Sequence, residues 1–283
     1  MSIATRVRRA AVIGAVAVVA GCLAACESAT ALPILTDPHE VVTAAAVSSA
    51  ALGSVHVQIE LAGRNVDDGG QEQRYALEAD IDVQGRNVAG RSRMSRDDVA
   101  ANVETSEFVV LNGTIFSRDG ANPLWSLNDS DRNGDHLPTN AAYLTMIETA
   151  ISDATAVLAL ADPVPCGAAT CYHVTATLAR EASWSLLVSP LVSADAGAVD
   201  LPRPEMVPGP ATIDIYVVQS TRLLAAVSGT FSIQGAAISF SVTFSNHDLP
   251  IRIAPPPPEL VGNPDGGIRI DPPRAAPVES PAP

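Results

Sequence analysis

Four cysteines are the residues of this 283-residue chain whose spacing most directly indicates chemistry. Cys22 ends the sequence VAGC and Cys26 ends LAAC, and both fit a lipobox, in which the thiol accepts a diacylglyceryl group and the leader is cleaved before it. Acylation of Cys26 would leave Cys166 and Cys171 as an even pair, whereas acylation of Cys22 would leave an odd thiol in an oxidising compartment. We therefore predict lipidation of Cys26, with Cys22 as the alternative.

The residues before Cys26 have the pattern of a lipoprotein signal peptide. Arg6, Arg8 and Arg9 precede an apolar run over 10–20, and small residues precede the cleavage point. An uncleaved anchor is the less favoured alternative, because the run is shorter than the roughly 20 residues that cross a bilayer. We predict a leader over 1–25, a lipidated tether over 26–35, and an exported protein held at the outer face of the cell membrane, in the periplasm.

The second cysteine pair has a different expected chemistry. Cys166 and Cys171 belong to an exported chain, where a disulfide is the default state of such a pair. A closed loop this short is expected to stabilise the fold by about 2 kcal/mol. A redox function is the alternative, although the spacing differs from Cys-x-x-Cys. We predict a structural disulfide at the start of a strand over 172–178.

One acidic loop raises the question of a metal. Asp129, Asp131, Asn133 and Gly134 match the first half of an EF-hand loop. Asn140 stands where that loop requires a bidentate glutamate, and a hairpin rather than a helix is predicted before it. The pattern favours a solvated loop, with calcium binding as the alternative.

No motif in the sequence assembles a catalytic site. A Gly-x-Ser-x-Gly turn, a His-Glu-x-x-His motif and a glycine-rich phosphate loop are all missing from it. The five histidines are scattered, and His56 and His173 fall on the polar faces of predicted strands. We predict no enzyme activity, no metal and no cofactor.

The charge of the chain limits its partners. The formal net charge is -14 and no lysine is present, so arginine supplies every basic side chain. An acidic protein is repelled by nucleic acid and by anionic headgroups. We therefore expect no nucleic-acid partner and attachment to the membrane through lipid alone. The arginine-, alanine- and proline-rich composition is typical of a GC-rich bacterial genome.

The elements that position these residues are predicted to be mainly strands. Alternation of apolar and polar residues begins at Val55 and recurs in several segments, which is typical of an antiparallel sheet with one wet face. Helices are predicted over 39–52, from 138 to 160 and over 180–193, with a loop over 119–136. Proline dominates after 253. We predict an α+β fold with one domain over 36–253 and a disordered tail over 254–283.

The order of these segments resembles the LppX/LprAFG family of mycobacterial lipoproteins. The resemblance rests on the two lipoboxes, ALGSVH after the first helix, EFVVLNG, Trp125 in the next loop, and PATIDIY followed by RLLAA. It implies a curved half-barrel sheet whose helices pack on the concave face and enclose an apolar cavity. It also implies binding of acylated lipids or glycolipids and their delivery across the periplasm. The second cysteine pair and the proline tail depart from the family.

The inward rows of this sheet form the predicted lining of the cavity. Sequence does not distinguish a cavity wall from a filled core, so two hypotheses stand. The first is a carrier for an acylated lipid or glycolipid, loaded with the help of a lipid exporter. The second is a structural or interaction lipoprotein of the cell envelope with a filled core and no ligand. The predicted lining residues are Val57, Ile59, Leu77, Ile81, Val110, Tyr143, Ile147, Leu186, Leu187, Ile215, Val217, Phe231, Ile238, Phe240 and Phe244.

Overall fold

The computed structural model describes residues 32–64, 72–96, 103–128, 156–183, 211–233 and 236–262. The chain divides into the units Met1–Pro33 and Ile34–Pro283, and the fold below belongs to the second. The predicted leader, both lipobox cysteines and the acidic loop from 129 lie outside the described residues. So do four predicted lining residues: Tyr143, Ile147, Leu186 and Leu187.

A large curved sheet makes up most of the described domain. Its order is β12-β6-β5-β4-β3-β2-β1-β11-β10-β9-β8-β7, and every neighbouring pair is antiparallel except β12 with β6. The strands are β1 (Ser54–Arg64), β2 (Glu72–Asp82), β3 (Asn87–Arg96), β4 (Val103–Leu111), β5 (Thr114–Asp119), β6 (Trp125–Asn128), β7 (Val157–Cys166), β8 (Ala169–Leu178), β9 (Ala211–Val218), β10 (Leu224–Ile233), β11 (Ala236–Ser245) and β12 (Val261–Gly262). The predicted antiparallel sheet is confirmed.

Helix α1 (Pro38–Ala50) begins close to where the sequence predicts. The Asp37 side chain accepts a hydrogen bond from the His39 N–H, and Pro38 occupies the first turn, where its missing N–H costs nothing. The helix contacts β7, β8, β9 and β10. It buries Val41, Val42 and other small residues in the same apolar cluster as those strands. The predicted packing of several helices on a concave face stays a prediction.

Strand β7 corrects the end of the expected helix from 138 to 160, because Val157–Cys166 is extended. The rest of that helix, 138–155, lies outside the described residues. Leu158 and Leu160 are half-buried while their neighbours are exposed, which is a strand pattern. Pro163 and Pro165 are tolerated because β7 is an edge strand. The predicted disulfide between Cys166 and Cys171 is present and joins β7 to β8.

Two short strands correct the predicted loop and the predicted tail boundary. Trp125–Asn128 pairs with β5 as β6, inside the expected loop over 119–136. Val261–Gly262 then pairs with β6 as β12, so the fold extends beyond 253. The chain between β11 and β12 is fixed to the start of β1, where the Ser54 hydroxyl donates to the Leu249 carbonyl at 2.6 Å. Residues 254–262 therefore belong to the domain and not to a disordered tail.

Candidate ligand-binding face of the sheet

One face of the sheet, here the apolar face, collects the inward side chains of ten neighbouring strands, β1–β5 and β7–β11. Strand register produces it: Val57 lies opposite Phe244 of β11 and Ala79 of β2. On the far side of β11, Val242 lies opposite Val227, which lies opposite Ile215. Because side chains alternate between faces along each strand, this alignment carries through the whole row.

All the predicted lining residues that the structure describes lie on the apolar face. Their burial is nevertheless unequal, which alternation alone did not reveal. Leu77, Phe231 and Ile238 are half-buried, whereas the others are buried. The buried ones are Val57, Ile59, Ile81, Val110, Ile215, Val217, Phe240 and Phe244.

One part of the apolar face, here the sealed region, is closed by the protein itself. It comprises β8, β9 and the first half of β10, where Val174, Ile215 and Val227 are 0 % exposed. The helix α1 lies against these strands, and its Ser49 hydroxyl accepts a hydrogen bond from the Leu224 N–H. The ends of β1 to β4 nearest Ser54 are also closed, since Val55 and Val110 are 1 % and 2 % exposed.

The opposite ends of the strands from β10 to β4 form an apolar surface, here the open patch, that is covered less completely than the sealed region. Its members face the same side and are all half-buried. Leu61 lies opposite Tyr75, and Tyr75 lies opposite Met94. The open patch consists of Leu61, Tyr75, Leu77, Met94, Phe108, Phe231 and Ile238.

Two aromatic rings approach glycines closely at the border of this patch. A Cβ added to Gly90 would come within 2.7 Å of the Phe108 ring, and one added to Gly229 within 2.8 Å of the Phe240 ring. Each ring therefore covers backbone on the neighbouring strand, as aromatic side chains do opposite glycines in sheets.

Hydroxyl groups border the open patch on β2, β3 and β4. The Ser92 and Ser106 oxygens are 2.7 Å apart. Burial raises the pKa of the Tyr75 phenol above its ordinary value, and a hydrogen bond with the Ser92 side chain partly offsets this. Tyr75 is therefore a neutral phenol, able to donate and accept.

The opposite face of the sheet carries charged pairs instead. Arg91 donates to Glu78 at 2.6 Å, and His56 is 2.7 Å from Asp80. His173 is likewise 2.7 Å from Asp214. These groups hold neighbouring strands in register, and the two histidines lie on the polar face as predicted. Exposed pairs of this kind contribute little net stability.

Sequence reasoning missed four members of the open patch, Leu61, Tyr75, Met94 and Phe108. Each belongs to an alternating segment, so the signal was present in the pattern. What it lacked was the pairing register, which places Tyr75 beside Leu61 and Phe108 beside Gly90. A hairpin alignment of β1 with β2 through the turn that the sequence predicts at 67–70 would have found Leu61 and Tyr75.

A separate open depression of about 490 Å³ lies on the outer side of α1. The described residues that line it are His39, Glu40, Thr43, Ala44, Val47 and Ser48, and four of these six are polar or charged at their tips. This depression is not the predicted apolar cavity, because none of the described residues that line it belongs to the sheet. That cavity stays a prediction.

Neither a metal site nor a spanning helix is found in the described part of the chain. Within those residues, no three His, Cys, Asp or Glu side chains are grouped as metal ligands. The helices described there are too short or too polar to cross a bilayer.

Comparison with solved structures places this fold. LprF from Mycobacterium bovis aligns over 77 % of this chain and 96 % of its own, with a TM-score of 0.50 and 13 % identity. The Mycobacterium tuberculosis lipoprotein LppX aligns over 77 % of this chain and 100 % of its own, with a TM-score of 0.43 and 14 % identity. The sequence matches no protein-family model and no curated protein. The expected resemblance to LppX/LprAFG proteins is therefore confirmed at the level of the fold.

Proposed function

We propose that this protein is a non-enzymatic carrier that binds the acyl chains of a lipid or glycolipid on the apolar face of its sheet. The observation that carries the proposal is the contrast between the sealed region and the open patch. Val174 and Ile215 are fully covered, whereas Leu61, Tyr75 and Ile238 on the same face are half-buried.

A hydrocarbon chain suits the open patch for energetic reasons. Each methylene moved from water to an apolar surface contributes about 0.8 kcal/mol. A lipid site needs mainly apolar area and a few polar groups that fix orientation. The open patch offers the first through Leu61, Leu77 and Phe231, and the second through Tyr75 and Ser92.

The proposed carrier is exported and anchored by a lipid on Cys26, with Cys22 as the alternative. The short sequence between Cys26 and α1 then forms the tether at the outer face of the cell membrane. A lipid exporter is the proposed source of cargo. The disulfide between Cys166 and Cys171 fits an oxidising compartment.

Native mass spectrometry of the full-length protein, extracted gently from membranes, tests the proposal. We expect co-purifying lipid, and uptake of added diacylated lipid after its removal. Leu61→Gln should weaken uptake, since it places an amide in the open patch. Thr243→Gln, on the polar face of the adjacent strand β11, is the matched control and should not. Protein free of lipid that takes up none would contradict the proposal.

A structural lipoprotein with a filled core is the second candidate, and the sealed region favours it. Val174, Ile215 and Val227 are packed without solvent exposure, so that half of the face has no room for a guest. If this candidate is correct, Leu61→Gln and Thr243→Gln will both leave lipid content unchanged at zero.

A further inference from the structure

The apolar face changes character across β1 to β5, at the border of the open patch. In one row across the strands, Ile59 lies opposite Leu77, and Leu77 lies opposite Ser92. Ser92 lies opposite Ser106, which in turn lies opposite Asp119. Hydrocarbon thus gives way to hydroxyl and then to carboxylate along a single line on one face.

Tyr75, in the adjacent row opposite Met94, adds a third hydroxyl to those of Ser92 and Ser106. Together these three hydroxyls have hydrogen-bonding capacity to spare. Each hydroxyl offers one hydrogen and two lone pairs. The contacts of Tyr75 with Ser92 and of Ser92 with Ser106 use two of the three hydrogens. One donor and several acceptor positions are left over for water or for a ligand beside Leu77.

Among the side chains that the structure describes, the charges next to these hydroxyls are negative. Glu104 lies opposite Met94 on the apolar face, and both Glu104 and Asp119 are exposed. Arg91 and Arg118 project from the other face, where they pair with Glu78 and Glu107. A phosphate at the hydroxyl row would therefore meet two carboxylates, an arrangement that disfavours an anion.

We propose that Tyr75, Ser92 and Ser106 form the subsite for the uncharged ester and hydroxyl groups of an acylated lipid, and that Glu104 and Asp119 select against phosphate headgroups. The acyl chains lie on the open patch, beside Leu61 and Leu77. This inference rests on the proposed carrier function and adds to it the chemical class of the head region.

Matched lipids test the subsite in the full-length, delipidated protein. The probes are a diacylglycerol and the dialkylglycerol of the same chain length, which lacks the ester carbonyls. We expect the wild type to bind the diester about three- to tenfold more tightly, the range that one or two hydrogen bonds supply. Ser92→Ala combined with Ser106→Ala should remove this preference without changing affinity for the dialkylglycerol. Ser95→Ala, on the polar face of the same strand β3, should retain it.

The outcomes separate the two proposals. Equal binding of both probes by the wild type would overturn the subsite and leave the carrier function standing. Binding of neither probe would instead contradict the carrier function. An equal loss of both probes in the double variant would assign the serines a structural role. If the double variant does not fold, Ser92→Ala alone and Tyr75→Phe carry the test, and retention of the ester preference in both would overturn it.

The charge part of the proposal has its own measurement. Phosphatidic acid of the same chain length should bind the wild type more weakly than diacylglycerol. Glu104→Gln combined with Asp119→Asn should reduce the difference in affinity between the two lipids several-fold at low ionic strength. The reduction should be smaller at high ionic strength, because salt screens exposed charges. If the double variant shows the same difference in affinity between the two lipids as the wild type, the two carboxylates do not select against phosphate.

Discussion

At the residue scale, the two glycines under aromatic rings show how the sheet limits its own filling. Gly90 is in the centre of β3, where a side chain would normally project into the interior. The position is closed by the Glu78 carbonyl oxygen as well as by the Phe108 ring, each 2.7 Å from where a Cβ would lie. Backbone cannot move aside cheaply, so the glycine is required for Phe108 to lie where it does.

Gly90→Ala is therefore expected to destabilise the protein by about 1–3 kcal/mol, the usual cost of overpacking. Gly63→Ala is the matched control on the same face, since its Cβ would meet Ile238 at an ordinary 3.5 Å. Thermal unfolding of both variants measures the difference. Equal melting temperatures for the two would contradict the placement of Phe108 over β3.

His247 gives a second residue-scale prediction, on pH dependence. Burial lowers the pKa of this imidazole below its ordinary 6.5, while a backbone hydrogen bond at Leu224 and the Asp248 charge partly oppose the change. The unfolded chain then binds a proton more readily than the folded one, so stability falls as pH drops below 6.5 towards the lowered value. The free energy of unfolding, measured in urea at a series of pH values, should fall less steeply with decreasing pH in His247→Gln than in the wild type. Parallel pH profiles for the two proteins would contradict the prediction.

At the element scale, β12 shows what the chain after β11 contributes. Val261 pairs with Trp125, which is 7 % exposed. A Cβ added to Gly262 would lie 3.5 Å from the Leu124 side chain. Two residues of backbone thus cover the edge strand β6 and its tryptophan. Unpaired sheet edges are exposed to solvent and to other chains.

Truncation tests this role of β12. A chain ending at Gly262 keeps every described contact and should unfold like the full-length protein. A chain ending at Ile253 loses β12, and we expect a loss of about 1–2 kcal/mol from the apolar area uncovered at Trp125. Tryptophan emission should shift to the red in the second truncation only. A red shift in both, or in neither, would contradict the prediction.

Elements differ in how far sequence alone determines them. Strand β1 and the helix α1 were predictable, because Val55, Val57 and Ile59 alternate and Asp37-Pro38 caps a helix. The turn at Asn112-Gly113 was predictable too, since both residues adopt the positive φ of 51° and 80° that this dipeptide favours. Strand β12 was not, because its partner β6 is distant in sequence. Strands β6 and β7 pair with β5 and β8, which are close in sequence, but β6 is only 4 residues long and β7 contains Pro163 and Pro165, so neither shows a clear strand pattern.

The candidate site was predictable only as a face. Alternation placed Leu77, Phe231 and Ile238 on the same side as Ile215 and Val217. It could not tell which of them would be covered, because coverage comes from elements such as α1 that pack across strands. Register and coverage are both long-range properties, and they decide the difference between the open patch and the sealed region.

At the scale of the whole molecule, the apolar face combines a fully buried part with a part that is only half-buried. The sealed region contains residues such as Val174 and Val217 with no exposed surface, whereas the open patch ends at strand termini near Arg64 and Ala237. Regions with fewer buried contacts open more readily. A carrier needs this division, because the guest must enter and leave without unfolding the frame that holds it.

Hydrogen exchange of the whole protein tests that division. Without lipid, amides of β8 and β9 should exchange slowest, and amides of β1 to β3 near Leu61, Tyr75 and Met94 should exchange faster. A diacylglycerol at 100 times its dissociation constant stabilises the bound form by about 2.7 kcal/mol. Protection should therefore rise by about 100-fold at most around the open patch, where local opening must break contacts with the guest. Amides that exchange only through global unfolding should gain protection by the same factor, because the guest stabilises the whole folded state, whereas amides of β8 and β9 that exchange through local opening should not change. Added protection at those locally opening amides and none around Leu61, Tyr75 and Met94 would mean that the guest binds in the sealed region instead, and no change anywhere would mean that the face holds no guest.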